Sequence, residues 1–201
     1  VIQRKGFVPP QELFRKLGFR LIDQQRPFYL EGDIFITGIP YMSKSMKPLL
    51  MKKLEEASKK AEEYEKSILI LHQGIDKYLP FDYELETGEL PTNFNYYAMG
   101  HVHNYINERY GKGKLVYPGS TEIWKTNEIR DYKKNGKGFE LVDLSGDMPE
   151  TERISVDLPR DFLKETIQYN QLLPDLQTLK NEKKKIKNKP IVDITVENGQ
   201  F

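Results

Sequence analysis

Three histidines, His72, His101 and His103, are the whole imidazole inventory of 201 residues, and the chain holds no cysteine. Without thiols there is no disulfide, no thiolate metal ligand and no cysteine nucleophile, so a metal centre here must use His, Asp, Glu or Asn. Imidazole is the commonest protein metal ligand. In extended backbone, residues i and i+2 point to one side, which lets the rings of His101-Val102-His103 converge on neighbouring ions. Gly100 allows a sharp turn just before them. Each histidine follows a short apolar run, Ser67 to Leu71 or Asn95 to Met99. Ligand sites in layered α/β folds gather beyond the carboxyl ends of strands, so metal chemistry at a strand-end edge is the expectation. Set against it are a satisfied core histidine at position 72 and exposed loop histidines at 101 and 103.

The elements that must position these rings can be read from periodicity. Met46, Leu50, Leu54, Ala57 and Ala61 keep a three- or four-residue spacing between Ser45 and Glu65, the pattern of an amphipathic surface helix. The apolar run that follows, Ile68 to Leu71, suits a strand buried on both faces. A helix followed by such a strand is the grammar of a layered α/β fold. Further strands are expected at 19–22, 33–37, 95–99, 115–117 and 138–144, with Glu31-Gly32 as a turn between the first two. Residues 75–95 read as a long loop with a single helical turn. Near the start, Pro9 and Gly18 bracket a short helix over 9–17 with Leu13, Phe14 and Leu17 on one apolar face, suited to core packing or to an oligomer contact.

Turn residues cluster at Ser145 to Glu150, and a boundary is placed there, giving parts at 1–148 and 149–201. Beyond it, a strand over 154–158, a helix over 161–173 capped by Asp161, a basic connector from Lys180 to Lys189 and a strand over 191–196 are expected. Some 50 residues make too small a core to stand comfortably alone.

Composition bounds the function. Lys and Arg number 31 against 30 Asp and Glu, so bulk charge favours neither nucleic acid nor acidic membranes, though a local basic face stays open. Mean hydropathy is −0.66, and the apolar run Ile68 to Leu71 falls far short of the ~20 residues of a membrane span. No membrane partner is expected. The sequence opens on Val1 with no leader pattern, from which a chain beginning inside a larger polypeptide or after a removed segment is expected.

The motifs Leu71-His72-Gln73-Gly74, Leu90-Pro91, Tyr96-Tyr97-Ala98-Met99-Gly100-His101-Val102-His103, Val116-Tyr117-Pro118-Gly119-Ser120-x-Glu122-x-Trp124 and Lys137-Gly138-Phe139 occur in that order. Together they resemble the C-terminal motifs of the calcineurin-like metallophosphoesterases. More narrowly they resemble the SbcD and meiotic-recombination-eleven type of DNA double-strand-break repair nuclease, in an archaeal-like form, over roughly 67–143.

The resemblance implies a four-layer αββα fold, present here incompletely, followed by the start of a small α+β capping domain. It implies two Mn²⁺ ions per complete active site, with His72 and His101 on one ion and His103 on the other, and hydrolysis of DNA phosphodiesters in double-strand-break repair. The family's Asp-x-His, Gly-Asp-x-x-Asp and Gly-Asn-His motifs, which carry its carboxylate ligands and catalytic histidine, have no match in this chain; Gly32-Asp33 lacks the second Asp. No catalytic residue is therefore assigned, the catalytic histidine is expected N-terminal to Val1, and the chain alone is expected to be inactive. The resemblance further implies a homodimer contact through Leu13, Phe14 and Leu17, and DNA contacts from Lys183, Lys184, Lys185 and Lys187. It also implies an SMC-like ATPase partner of the SbcC or Rad-fifty type and a cytoplasmic, nucleoid-associated setting in a prokaryote. The alternatives are another calcineurin-like phosphoesterase, such as a phosphatase or cyclic-nucleotide phosphodiesterase, and a non-catalytic DNA-binding or assembly module. Trp124 is expected to pack rather than to stack on bases.

Overall fold

The computed structural model describes residues 10–23, 25–183 and 188–199. The architecture is mixed α/β, built on a six-stranded mixed sheet in the order β1-β2-β3-β4-β6-β5, consistent with a metallophosphoesterase-type fold. Strands β1 (Phe28–Glu31) and β2 (Ile34–Ile39) form a hairpin with Glu31 opposite Ile34, which leaves only Gly32 and Asp33 in the turn. Gly32 takes φ +59° there, the left-handed geometry that two-residue hairpin turns demand. Because so tight a turn pairs β2 with the residues directly before it, the strand expected at 19–22 does not form; residues 19–22 are irregular.

Helix α1 (Lys47–Ala61), with Pro48 in its first turn, crosses over to β3 (Lys66–His72), which lies parallel to β2. Leu50, Leu54 and Ala61 of the helix are buried with Phe35, Leu69, Leu71, Tyr97 and Tyr117 in one core. The other face of β3 is less covered: Ile70 is 41% exposed. Along β3 buried residues alternate with half-buried or exposed ones, so the expectation of a strand buried on both faces is corrected to an alternating one. β4 (Tyr96–Gly100) runs parallel to β3 and to β6 (Gly113–Tyr117). β5 (Ile106–Tyr110) closes the edge antiparallel to β6. Its sequence, Ile-Asn-Glu-Arg-Tyr, is too polar to announce itself as a strand, yet edge strands carry such residues routinely.

The chain divides into two compact units. The first takes in the sheet together with Glu140–Arg153, which spans most of the two-stranded pair β7 (Gly138–Asp143) and β8 (Glu150–Ser155). The second comprises Ser120–Phe139 and the residues from Ile154 onward. It contains α2 (Ile129–Asn135), closed by Gly136 at φ +67°, and a β-α-β unit of β9 (Phe162–Gln168), α3 (Leu172–Lys183) and β10 (Ile191–Glu197). β9 and β10 are parallel in register over seven pairs, from Phe162 opposite Ile191 to Gln168 opposite Glu197. The helix expected at 161–173 is thus a strand for most of its length. Phe162, Thr166 and Ile167 favour extended backbone, and the β10 ladder outweighs the weak helical periodicity.

Pro10–Leu17 is a 3-10 helix whose Leu13, Phe14 and Leu17 are 75%, 45% and 73% exposed. Core packing is overturned for these residues. Among the described residues, no helix is long and apolar enough to cross a membrane.

Candidate metal centre at the carboxyl edge of the sheet

β2, β3, β4 and β6 run parallel, so the turns that follow them share one edge: Pro40-Tyr41-Met42, Gln73-Gly74, His101-Val102-His103 and Pro118-Gly119. His72 ends β3 in register with Gly100 at the end of β4. A Cβ at position 100 would stand 2.7 Å from His72 Nδ1, so glycine is what makes room for that ring. Gly100→Ala should push the His72 ring aside and move its ring resonances, because the added Cβ would stand 2.7 Å from Nδ1. Unmoved resonances would show that the ring does not stand against Gly100.

The structure brings His72 and His101 together, with ring centroids 5.3 Å apart and planes at 69°. It does so by an unexpected route. His101 has φ +87°, so the chain leaves the strand at Gly100, and the extended i, i+2 geometry expected for His101 and His103 is absent. A non-glycine residue in the left-handed region costs on the order of 1–3 kcal/mol and persists only where its surroundings hold it. Val102 is buried, and His103 is half-buried beyond it. The His103 carbonyl faces Gly119 (φ +77°), where a Cβ would approach it to 2.7 Å. The neighbouring Pro118 carbonyl accepts a hydrogen bond from Arg153 Nη1 at 3.0 Å. Among the described residues, no three His, Cys, Asp or Glu side chains converge as a finished metal cage.

His72 is accessible at the strand end. Partial burial, first, and then the positive charge of His101 and His103 when protonated hold its pKa below the ordinary imidazole value. The neutral form, which is the one that ligates, is therefore favoured. Two adjacent imidazoles of this kind fit a divalent transition ion as part of its ligand set, with carboxylates still required to complete a Mn²⁺ site.

Four further residues belong to this edge. Tyr41, one position past Pro40, sets its ring 5.6 Å from that of His101 and 6.5 Å from that of His72. Its hydroxyl donates to Glu84 Oε1 at 3.2 Å; burial and the Glu84 carboxylate push its pKa up, so it remains a donor. Glu84 is 4% exposed and accepts the Gly74 N–H at 2.7 Å. Gln73 is fully buried; with its amide assigned in the orientation that satisfies the surrounding donors and acceptors, its oxygen accepts from Met42 N at 2.8 Å and its nitrogen donates to the Met42 and His72 carbonyls at 3.2 and 3.3 Å. Tyr117 Oη donates to the Gln73 carbonyl at 2.8 Å. The strand-end rule that flags the histidines applies equally to Tyr41, two residues after the largely apolar run Ile34 to Ile39. Nothing local in the sequence flags Glu84.

The remaining expected residues lie elsewhere. Lys183 sits in the last turn of α3, in the second unit; Lys184, Lys185 and Lys187 lie outside the described residues. Trp124 is 75% exposed, which corrects the expectation that it packs.

The chain is similar over most of its length to known proteins. The chain is 42% identical over 177 residues to the DNA double-strand break repair protein Mre11 of Methanocaldococcus jannaschii, a match that takes in 86% of this chain and 47% of that protein. It is 36% identical over 194 residues to the Mre11 of Methanococcus maripaludis, covering 91% of the chain and 52% of the relative. With the Mre11 of Saccharolobus solfataricus the figures are 32% over 208 residues, 99% and 53%. The chain spans about half the length of the curated relatives it matches. No family model matches the sequence.

Proposed function

Because the chain belongs, over most of its length, to the Mre11 type of double-strand-break repair protein, we propose that the complete protein is a metal-dependent DNA nuclease acting in that repair. The observation that carries this reading is the His72–His101 ring pair, held at the carboxyl edge on a strained His101 backbone. His72 and His101 hold one Mn²⁺ ion and His103 contributes to a second. Ions held there would supply charge stabilisation to a phosphodiester and would acidify a bound water. This chain's part is to present neutral imidazoles at fixed angles, with Gly100 making room for one ring and Tyr41 flanking both. The carboxylate donors and the catalytic histidine come from motifs the chain does not contain.

The rest of the reading concerns assembly. The nuclease part extends to about residue 148, and 149–201 opens a capping domain in which Lys183, Lys184, Lys185 and Lys187 approach the DNA backbone. The exposed side chains of Leu13, Phe14 and Leu17 suit a homodimer contact, and an SMC-like ATPase of the SbcC or Rad-fifty type is the partner. The setting is cytoplasmic and nucleoid-associated.

The full-length protein should cut linear duplex DNA with Mn²⁺, stop on chelation and recover when Mn²⁺ is restored, while the 201-residue chain stays inactive. A full-length protein that hydrolyses small phosphomonoesters and leaves DNA intact would move the assignment to another phosphoesterase class.

A further inference from the structure

We propose that Tyr41 and Glu84 act as a positioning pair that fixes the orientation of the His72 and His101 rings; this rests on the metal-site reading above. Tyr41 touches both histidines and neither neighbours it in sequence. Its ring lies at 30° to His101 and nearly edge-on, at 81°, to His72. The three rings therefore form one cluster, in which Tyr41 limits how far either imidazole can swing.

What fixes Tyr41 is its hydroxyl. The side chain is half-buried at the edge, where a phenol could as well turn to water. It turns inward instead, to Oε1 of Glu84, while Oε2 of the same carboxylate takes the Gly74 N–H. The backbone repeats the link, since Glu84 N and Leu85 N both donate to the Gly74 carbonyl at 3.1 Å. Gly74 stands two residues after His72, and Tyr41 two residues after the end of β2. One carboxylate thus ties the turn after β2 to the turn after β3. A buried carboxylate is costly unless its hydrogen bonds are made, and the two identified here go to those turns.

His101 supplies an independent reason for such a pair. Its left-handed backbone is held only if surrounding contacts over-determine it, and the Tyr41 and His72 rings are two aromatic contacts of its side chain. Partners of this kind, one step removed from a metal, typically change metal affinity or activity by 10–100-fold when lost.

The test uses the full-length protein, with Mn²⁺ affinity from calorimetry and His72 and His101 ring resonances from the metal-free protein. Tyr41→Leu is expected to weaken Mn²⁺ binding about tenfold, to move both sets of ring resonances, and to lower kcat for DNA cleavage while KM stays put. Tyr41→Phe keeps the ring and loses the anchor, so it should fall between Tyr41→Leu and the parent. Glu84→Gln keeps an acceptor for the Gly74 N–H and should rescue most of the affinity that Glu84→Leu loses. A folded Tyr41→Leu protein with parental affinity and unmoved resonances would overturn the proposal. If that variant does not fold, Tyr41→Phe with parental values on both readouts would overturn it equally. His101→Ala separates the two levels: parental Mn²⁺ affinity in that variant removes the metal-site reading, and the metal-free resonances still decide whether Tyr41 positions the rings.

Discussion

Replacing His101 by alanine in the full-length protein is expected to lower metal-dependent DNA cleavage by about 10³-fold, and to leave the protein less stable than replacing it by glycine. The first effect follows from the proposed role of His101 as a metal ligand, since an ion stabilises charge in the transition state. Losing a ligand forfeits several kcal/mol of that, and about 4 kcal/mol is three decades of rate. The second effect follows from the backbone alone. In ordinary helix and strand interiors glycine is the worse residue, by about 0.5–1 kcal/mol relative to alanine. At φ +87° the order inverts, because a Cβ is strained there and glycine has none. Both variants should be comparably inactive, with His101→Gly melting about 2–4 °C above His101→Ala for each kcal/mol of strain relieved. Cleavage by His101→Ala within tenfold of the parent would remove His101 from the ligand set. A glycine variant that melts below the alanine variant would show that the left-handed backbone is not a source of strain.

The His101 backbone also shows where reading from sequence stops. That the histidines gather at strand ends was legible, because each follows an apolar run and ligand sites lie beyond the carboxyl ends of strands; that the rings at 72 and 101 pair was implied by the family resemblance. The path by which they meet was not legible, since the Gly-His-x-His spacing reads as extended until the dihedral is seen. The helix Lys47–Ala61 and the strand Lys66–His72 were visible because their periods are strong and local. Phe19 to Ile22 look as strand-like as Phe28 to Glu31 by composition, and only the two-residue turn at Gly32-Asp33 decides between them. Phe162 to Gln168 failed in a related way, because its strand state depends on a partner about 29 residues on. Tyr41 and Glu84 lie 43 residues apart; no window of sequence contains the pair. What could be read, then, were elements and ligand types, and what could not were the long-range hydrogen bonds that orient them.

In the second unit, Lys137→Met is expected to destabilise by about 3–5 kcal/mol, the largest effect on stability foreseen for a single side chain here. Lys137 and Glu128 side chains are 1% and 4% exposed and meet at 2.7 Å. Lys137 Nζ also donates to Ser120 Oγ at 2.7 Å, Ser120 Oγ reaches Glu128 Oε2 at 3.1 Å, and Lys125 N donates to Glu128 Oε1 at 3.2 Å. Removing the ammonium leaves the buried Glu128 carboxylate without the Lys137 charge, and the desolvation no longer offset by that charge is what makes the variant costly. Coulomb attraction does not by itself set the size of the loss. A buried pair replaced whole by apolar side chains of similar volume is often neutral, so Glu128→Leu added to Lys137→Met should restore most of the stability. Amide exchange over Ser120–Phe139 in the full-length protein measures this locally, as the opening free energy of that segment. A single Lys137→Met variant within about 1 kcal/mol of the parent, well under the 3–5 kcal/mol expected for breaking a buried pair, would mean that the carboxylate finds water or another cation. Failure of the double variant to recover would instead place the stabilisation in the hydrogen bonds that reach Ser120 and Lys125.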